Sequence, residues 1–175
     1  LVYKDEDEDI EIIALPADNH QVTVMVDYNT DVLGTQNAHM NDISEFREGF
    51  ARSRTFSFLH ELEFLLERGL IKGGDLNNAI VYVDKEISSD SMVRLSKAFN
   101  KEKVSVQANG ILDNLELHYP NEAARHKLLD VVGDLTLVGR PIKGRIIATK
   151  PGHKANTNFA KMLIKQIKKE ESGPK

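Results

Sequence analysis

Residues 10–28 read Ile10-Glu11-Ile12-Ile13-Ala14-Leu15-Pro16-Ala17-Asp18-Asn19-His20-Gln21-Val22-Thr23-Val24-Met25-Val26-Asp27-Tyr28. Val22, Val24, Val26 and Tyr28 alternate with Thr23, Met25 and Asp27, a period of two that turns one strand face to a core and the other to water. Ile10 to Leu15 reads as a second strand. The short link Pro16-Ala17-Asp18-Asn19 predicts that the two pair as a hairpin. A half-buried sheet needs a covering layer, and the rest of the chain offers helices. Asp42 to Gly49 reads as a short helix with Ile43, Phe46 and Phe50 on its apolar side. Phe58, Leu59, Leu62, Leu65 and Leu66 recur at helical spacing and stop at Gly69. Ile80-Val81-Tyr82-Val83 is a strand, and a weaker helix lies within Asp90 to Phe99. Pro120 and Asn121 open a long helix, Ile142 to Thr149 returns as a strand, and Asn156 to Lys169 is a final helix. This order predicts an α+β fold, a two-layer sandwich with helices on one face of a mixed or antiparallel sheet.

Composition narrows the function. A chain of 175 residues that is 41% hydrophobic can bury a real core. A net charge of -4 argues against nucleic acid as a partner. No run approaches the ~20 apolar residues of a transmembrane segment. The absence of cysteine rules out disulfides and thiolate metal sites and suits a reducing, cytoplasmic setting. Asp5-Glu6-Asp7-Glu8-Asp9 reads as a solvated hairpin tip or flexible arm. Residues 170–175 read as a linker to a following segment, and the abrupt start at Leu1 suggests a piece of something longer.

The chemistry concentrates in Arg125-His126-Lys127-Leu128-Leu129-Asp130-Val131-Val132-Gly133-Asp134. His126 and Asp130 stand four apart, so imidazole and carboxylate share one helix face, with Asp134 one turn further on. A nitrogen and an oxygen ligand so placed suit a zinc ion that keeps a position open for water. The spacing equally describes a solvated ion pair.

Three ordered segments resemble a known family. They are Arg54-Thr55-Phe56-Ser57-Phe58 continuing to Gly69-Leu70-Ile71-Lys72-Gly73-Gly74, then Arg125-His126-Lys127 through Asp130 to Gly133-Asp134, then Gly152-His153 with Asn156. Together they resemble the C-terminal half of the zinc-dependent UDP-3-O-acyl-N-acetylglucosamine deacetylase of lipid A biosynthesis. The resemblance spans nearly the whole chain. It implies a domain over residues 1–169, with a small βαβ-like insert at about 55–84 that forms an acyl-chain passage. It implies zinc as cofactor, with His126 and Asp130 as ligands, His153 as catalytic acid, Asp134 as its orienting carboxylate and Thr55 as an oxyanion donor. Lys127, Lys150, Asp27, Tyr28 and Phe56 match positions that bind the UDP-sugar. Leu62, Ile71, Leu76, Ala79 and Val81 match positions that line the acyl passage. From the residues alone these five read as ordinary core, and Thr55 reads as a helix N-cap.

The family's third zinc ligand and its general base lie in the N-terminal half of the enzyme, which implies that this chain alone is metal-poor and inactive. A hydroxyacyl-carrier-protein dehydratase fused downstream is a further partner that the family implies. The sequence also departs from the family. Thr30-Asp31 replaces a His-Pro pair, and the basic residue of the first hairpin has no counterpart. Residues 88–106 match no assigned role. Two other readings stay open at this point. One is a different zinc amidohydrolase drawing ligands from His20, His39, His60 or His118. The other is a non-catalytic α+β interaction module.

Overall fold

The alternating strand lies near the middle of a five-stranded mixed sheet. The computed structural model describes residues 1–68, 78–85, 87–98, 102, 104–113 and 115–173. Ile71 and Leu76 fall outside the described residues. The chain divides into two units, the first comprising Leu1–Asp27, Thr35–Ser53 and Ala123–Lys175, the second Tyr28–Gly34 and Arg54–Glu122.

The first unit contains β1 (Val2–Asp5), β2 (Ile10–Leu15), β3 (His20–Val26), β4 (Gln36–Met40) and β7 (Gly144–Thr149), ordered β1-β2-β7-β3-β4. Ile12, Ala148, Val24 and Ala38 form one cross-strand row, and Ala14, Ile146, Val22 and Met40 the next. All but Ala14 are buried, whereas Met25, Asn37, His39 and Arg145 on the other face are exposed. One face is therefore core and the other is wet. The helices α4 (Glu122–Leu135) and α5 (His153–Glu171) supply Ala124, Leu128, Val131, Leu135, Phe159 and Ala160 to the buried layer, at the three-to-four-residue spacing of an amphipathic helix. The fold is α+β, with helices on one sheet face.

The expected hairpin between β2 and β3 does not form. β7 lies between them, antiparallel to β2 and parallel to β3. The four-residue link instead steps over the start of β7, where Gly144 donates its N–H to Asn19 O at 3.1 Å. A Cβ on Gly144 would lie 3.0 Å from Leu15 O, so a larger residue here would push the backbone at Leu15 back by a few tenths of an ångström. Strand order is a long-range outcome that a short loop does not reveal. β2 pairs with β1 instead, and the acidic run forms the tip of that hairpin.

Between β4 and Ser53, a 3-10 turn (Ile43–Glu45) leads into α1 (Phe46–Gly49), and Asp42 caps it by accepting from Ser44 N at 2.9 Å. The last helix begins at His153 rather than Asn156, because Gly152 is extended and its carbonyl accepts the Asn156 N–H at 2.9 Å, closing the first turn. It continues to Glu171, through the first two residues of the expected linker.

In the second unit, β5 (Thr55–Phe58) and β6 (Ala79–Tyr82) pair in parallel, with α2 (Leu59–Glu67) between them in sequence, a βαβ arrangement. The expected N-cap role of Thr55 is overturned, because Thr55 opens β5 and the helix starts four residues later. There Glu61 accepts from the N–H of Phe58 at 3.0 Å, a helix-start device that Thr55 has no part in. The helix α3 (Ser89–Ala98) follows, and Ser88 caps it by accepting from Ser91 N. Leu59, Leu62, Val81, Leu95, Val104 and Leu112 form this unit's core.

Candidate active site

The helix α4 forms where its sequence dictates, after Pro120, with Ala124, Leu128, Val131 and Leu135 turned to the core. That orientation leaves His126, Asp130 and Asp134 on another face, all in the first unit. The His126 and Asp130 side chains are 17% and 8% exposed, with Nε2 3.5 Å from Oδ1. On its other side, His126 Nδ1 lies 3.2 Å from the Ser53 carbonyl oxygen. A carbonyl only accepts, so Nδ1 carries a proton, and in the neutral form of the ring the Nε2 lone pair faces Asp130. Two acceptors facing each other across 3.5 Å are repulsive unless a proton or a cation lies between them. Ligand distances of about 2.0–2.2 Å around a tetrahedral zinc ion separate a nitrogen and an oxygen ligand by about 3.3–3.5 Å. The pair therefore fits two ligands of one such ion. Lys127 Nζ approaches the other oxygen, Asp130 Oδ2, at 3.4 Å. Among the described residues no group of three or more His, Cys, Asp or Glu side chains is arranged to hold a metal.

One turn further along α4, Asp134 Oδ2 lies 2.8 Å from His153 Nδ1. The same oxygen accepts from Asn156 Nδ2, also at 2.8 Å. The His153 ring is 70% exposed, which leaves its Nε2 edge open to water. The pair has the form of an oriented acid, a carboxylate fixing one ring nitrogen while the other exchanges protons outward.

The other expected residues divide between the units. In the first, Asp27 accepts from Thr35 Oγ1 at 2.7 Å. Lys150 sits at φ 49° and donates to Asp9 Oδ2 at 2.8 Å. That hydrogen bond is the largest cause of a raised Lys150 pKa; desolvation opposes it, and the nearby charges of Asp9 and Asp27 add to the rise. In the second, Tyr28 and Phe56 meet edge to face with centroids 5.6 Å apart. Thr55 is exposed at the start of β5, Ala79 is half-buried, and Leu62 and Val81 belong to the core cluster.

The histidines of the alternative hydrolase have other surroundings. Thr23 and Asn41 hold His39, and Asp84 holds His60 at 2.9 Å. His20 keeps a buried Nδ1 that makes no hydrogen bond among the described residues, and burial lowers its pKa. His118 lies exposed on a loop.

Three contacts escaped the sequence reading: the Ser53 carbonyl on His126, the Asn156 amide on Asp134, and a clamp between Arg54 and Glu122. Glu122 is 0% exposed and accepts from Arg54 N, Nε and Nη2 and from His118 N, at 2.7–3.1 Å. Burial would raise its pKa, but these donors outweigh that and lower it. Arg54 and Asn156 both stand in the quoted motifs, but nothing in a motif names the atom that each one touches.

The model for the family described as UDP-3-O-acyl N-acetylglycosamine deacetylase matches residues 2–105 and 96–165. A bifunctional enzyme LpxC/FabZ of Bacteroides thetaiotaomicron is 44% identical over 98% of this chain and 37% of its own length. UDP-3-O-acyl-N-acetylglucosamine deacetylases of Leptospira biflexa and Chlamydia pneumoniae are 35% and 34% identical, over 92% and 91% of this chain. The chain spans only 45% and 49% of those two proteins. No described helix is long and apolar enough to cross a membrane.

Proposed function

The chain belongs to the UDP-3-O-acyl N-acetylglycosamine deacetylase family, and we propose that it supplies one half of a zinc-dependent active site. That site removes the acetyl group from a UDP-3-O-acyl-N-acetylglucosamine in lipid A biosynthesis. The observation that carries this reading is the pairing on one face of α4: His126 with Asp130 at 3.5 Å, and one turn on, Asp134 with His153 at 2.8 Å.

His126 and Asp130 would hold the metal, and the Ser53 carbonyl keeps a proton on His126 Nδ1 so that Nε2 would be the nitrogen available to ligate. When bound, zinc supplies an acidified water and a Lewis acid for the amide carbonyl. His153, as imidazolium, gives its Nε2 proton to the departing amine nitrogen, which would otherwise leave as an unstable anion. Asp134 accepts a hydrogen bond from Nδ1–H, keeping that proton on the ring and stabilising its charged form. Thr55 donates its hydroxyl to the developing oxyanion. Lys127, Lys150 and Asp27 bind the polar parts of the UDP-sugar, and Tyr28 with Phe56 offers ring faces to the base. Leu62, Ala79 and Val81 would border the passage for the acyl chain, with Leu62 and Val81 doing so from the core cluster of this unit; Ile71 and Leu76, which match the same set of positions, lie outside the described residues.

The third ligand and the general base belong to the half of the relatives that this chain does not cover. A dehydratase domain fused downstream is the further partner, supported by the bifunctional relatives.

Zinc titration of the chain alone and of the chain joined to its preceding half tests the proposal, with acetate release measured in parallel. Tight zinc binding and hydrolysis are expected only in the joined protein. Tight binding by the chain alone would point to a different hydrolase. No zinc binding by the joined protein would leave a non-catalytic module.

A further inference from the structure

We propose that Asn156 is a positioning residue for the Asp134–His153 pair, its side-chain amide holding the Asp134 carboxylate in the orientation that fixes the His153 ring. The consequence for catalysis rests on the deacetylase reading above, whereas the positioning itself does not. His153 and Asn156 stand three apart at the start of α5, on one side of the helix. Both donate to the same atom, Asp134 Oδ2, at 2.8 Å. Their surroundings differ sharply. His153 is largely exposed, whereas Asn156 is 1% exposed, beside the buried Ala155 and Phe159 of the same helix.

A solvated imidazole cannot by itself hold a carboxylate still, because water competes for both partners. The amide on the buried side of the helix is the rigid one. Its cost is visible. Asn156 Oδ1 is buried and makes no hydrogen bond among the described residues. An apolar side chain of similar size would avoid that penalty, so the fold retains the amide for what its Nδ2 does. Exchanging the amide's two ends would aim Oδ1 at a carboxylate oxygen, acceptor against acceptor, so the donor role of Nδ2 is fixed chemically.

The order of support therefore runs from the core through Asn156 to Asp134, and from Asp134 to Nδ1 of His153. A free neutral histidine favours its proton on Nε2. Asp134 reverses that preference, leaving the Nε2 lone pair facing outward, where a proton is taken up and given away.

The test reads the ring of His153 in the whole chain by long-range 1H–15N correlation, at a pH where the imidazole is neutral. The wild-type ring is expected in the Nδ1–H form. Asn156→Leu should stay folded by circular dichroism, since it removes the orphaned oxygen, while His153 drifts toward the Nε2–H form. Asn156→Ala serves if the leucine does not fit. A folded variant whose His153 keeps the wild-type tautomer overturns the proposal, as does a wild-type ring already in the Nε2–H form. In the joined enzyme, Asn156→Leu should lower kcat on the order of 10-fold with KM unchanged. Absence of hydrolysis by the joined wild-type enzyme overturns the deacetylase reading alone, because the tautomer is read without substrate.

Discussion

Ser53 and His126 meet through one atom each: the Ser53 carbonyl oxygen lies 3.2 Å from the ring nitrogen Nδ1. In the proposed zinc site this contact leaves Nε2 as the nitrogen able to ligate, and it turns Nε2 toward Asp130. The contact is made by backbone, so no substitution of the Ser53 side chain removes it. Ser53→Ala should leave zinc affinity of the joined enzyme unchanged. It should slightly stabilise the fold, because the buried Ser53 Oγ makes no hydrogen bond among the described residues. A large loss of affinity in that variant would mean that the hydroxyl, not the carbonyl, orients the ring.

Asp130→Asn in the joined enzyme should weaken zinc binding by about 100-fold or more, since the amide is a poor ligand and Lys127 loses its carboxylate partner. The fold should survive, because the site is on the side of α4 away from its apolar residues. Competition with a chromogenic chelator measures the first, and thermal unfolding the second.

Arg54→Met should cost about 3–5 kcal/mol, because Glu122 is left buried without its guanidinium. The double variant Arg54→Met/Glu122→Leu should recover only part of that loss. Glu122 also accepts from the backbone N–H groups of Arg54 and His118, and both would be orphaned. Urea unfolding of the three proteins decides it. Full recovery would show that the backbone bonds contribute little.

Acid should destabilise the protein in two steps. His20 has a lowered folded pKa because burial disfavours its charged form, so its contribution is present above its ordinary value of 6.5 and is lost as pH falls through the folded value. Glu122, also lowered, contributes above its ordinary 4.5 and loses that contribution as pH falls through its own folded value. Urea midpoints against pH should therefore fall first below about 6.5 and again below about 4.5. His20→Gln should flatten only the first step.

Gly144→Ala should destabilise by about 1–3 kcal/mol, because the added carbon meets the backbone oxygen Leu15 O at 3.0 Å. Calorimetry or urea unfolding measures it, and a neutral outcome would mean that the link can lift.

The apolar alternation of Val22, Val24 and Val26 settled β3 before any coordinate was needed, and Leu128, Val131 and Leu135 settled α4 in the same way. Such patterns are written within a few residues, because the backbone period alone chooses which side chains share a face. His126 and Asp130 meet for that reason: four residues is one turn. The strand order was not legible. Whether β2 pairs with β3 or with β7 depends on a partner some 130 residues away, and the four-residue link permits both. The N-cap alternative for Thr55, which fails, has a related cause, since a strand only four residues long, ahead of a helix, carries too little pattern to outweigh a capping residue.

The sequence by itself determined the helix face on which the imidazole and carboxylates stand, because covalent spacing and helical pitch leave no alternative. Tertiary structure alone decided what each of them touches: the Ser53 carbonyl on His126, the Asn156 amide and His153 ring on Asp134, the Arg54 guanidinium on Glu122. These partners lie 19 to 73 residues apart in the chain. Within the first unit, the contacts of Ser53, His126, Asp134, His153 and Asn156 form because burying the apolar faces of β3, β7, α4 and α5 brings those backbones within reach, while Arg54 and Glu122 meet inside the second unit.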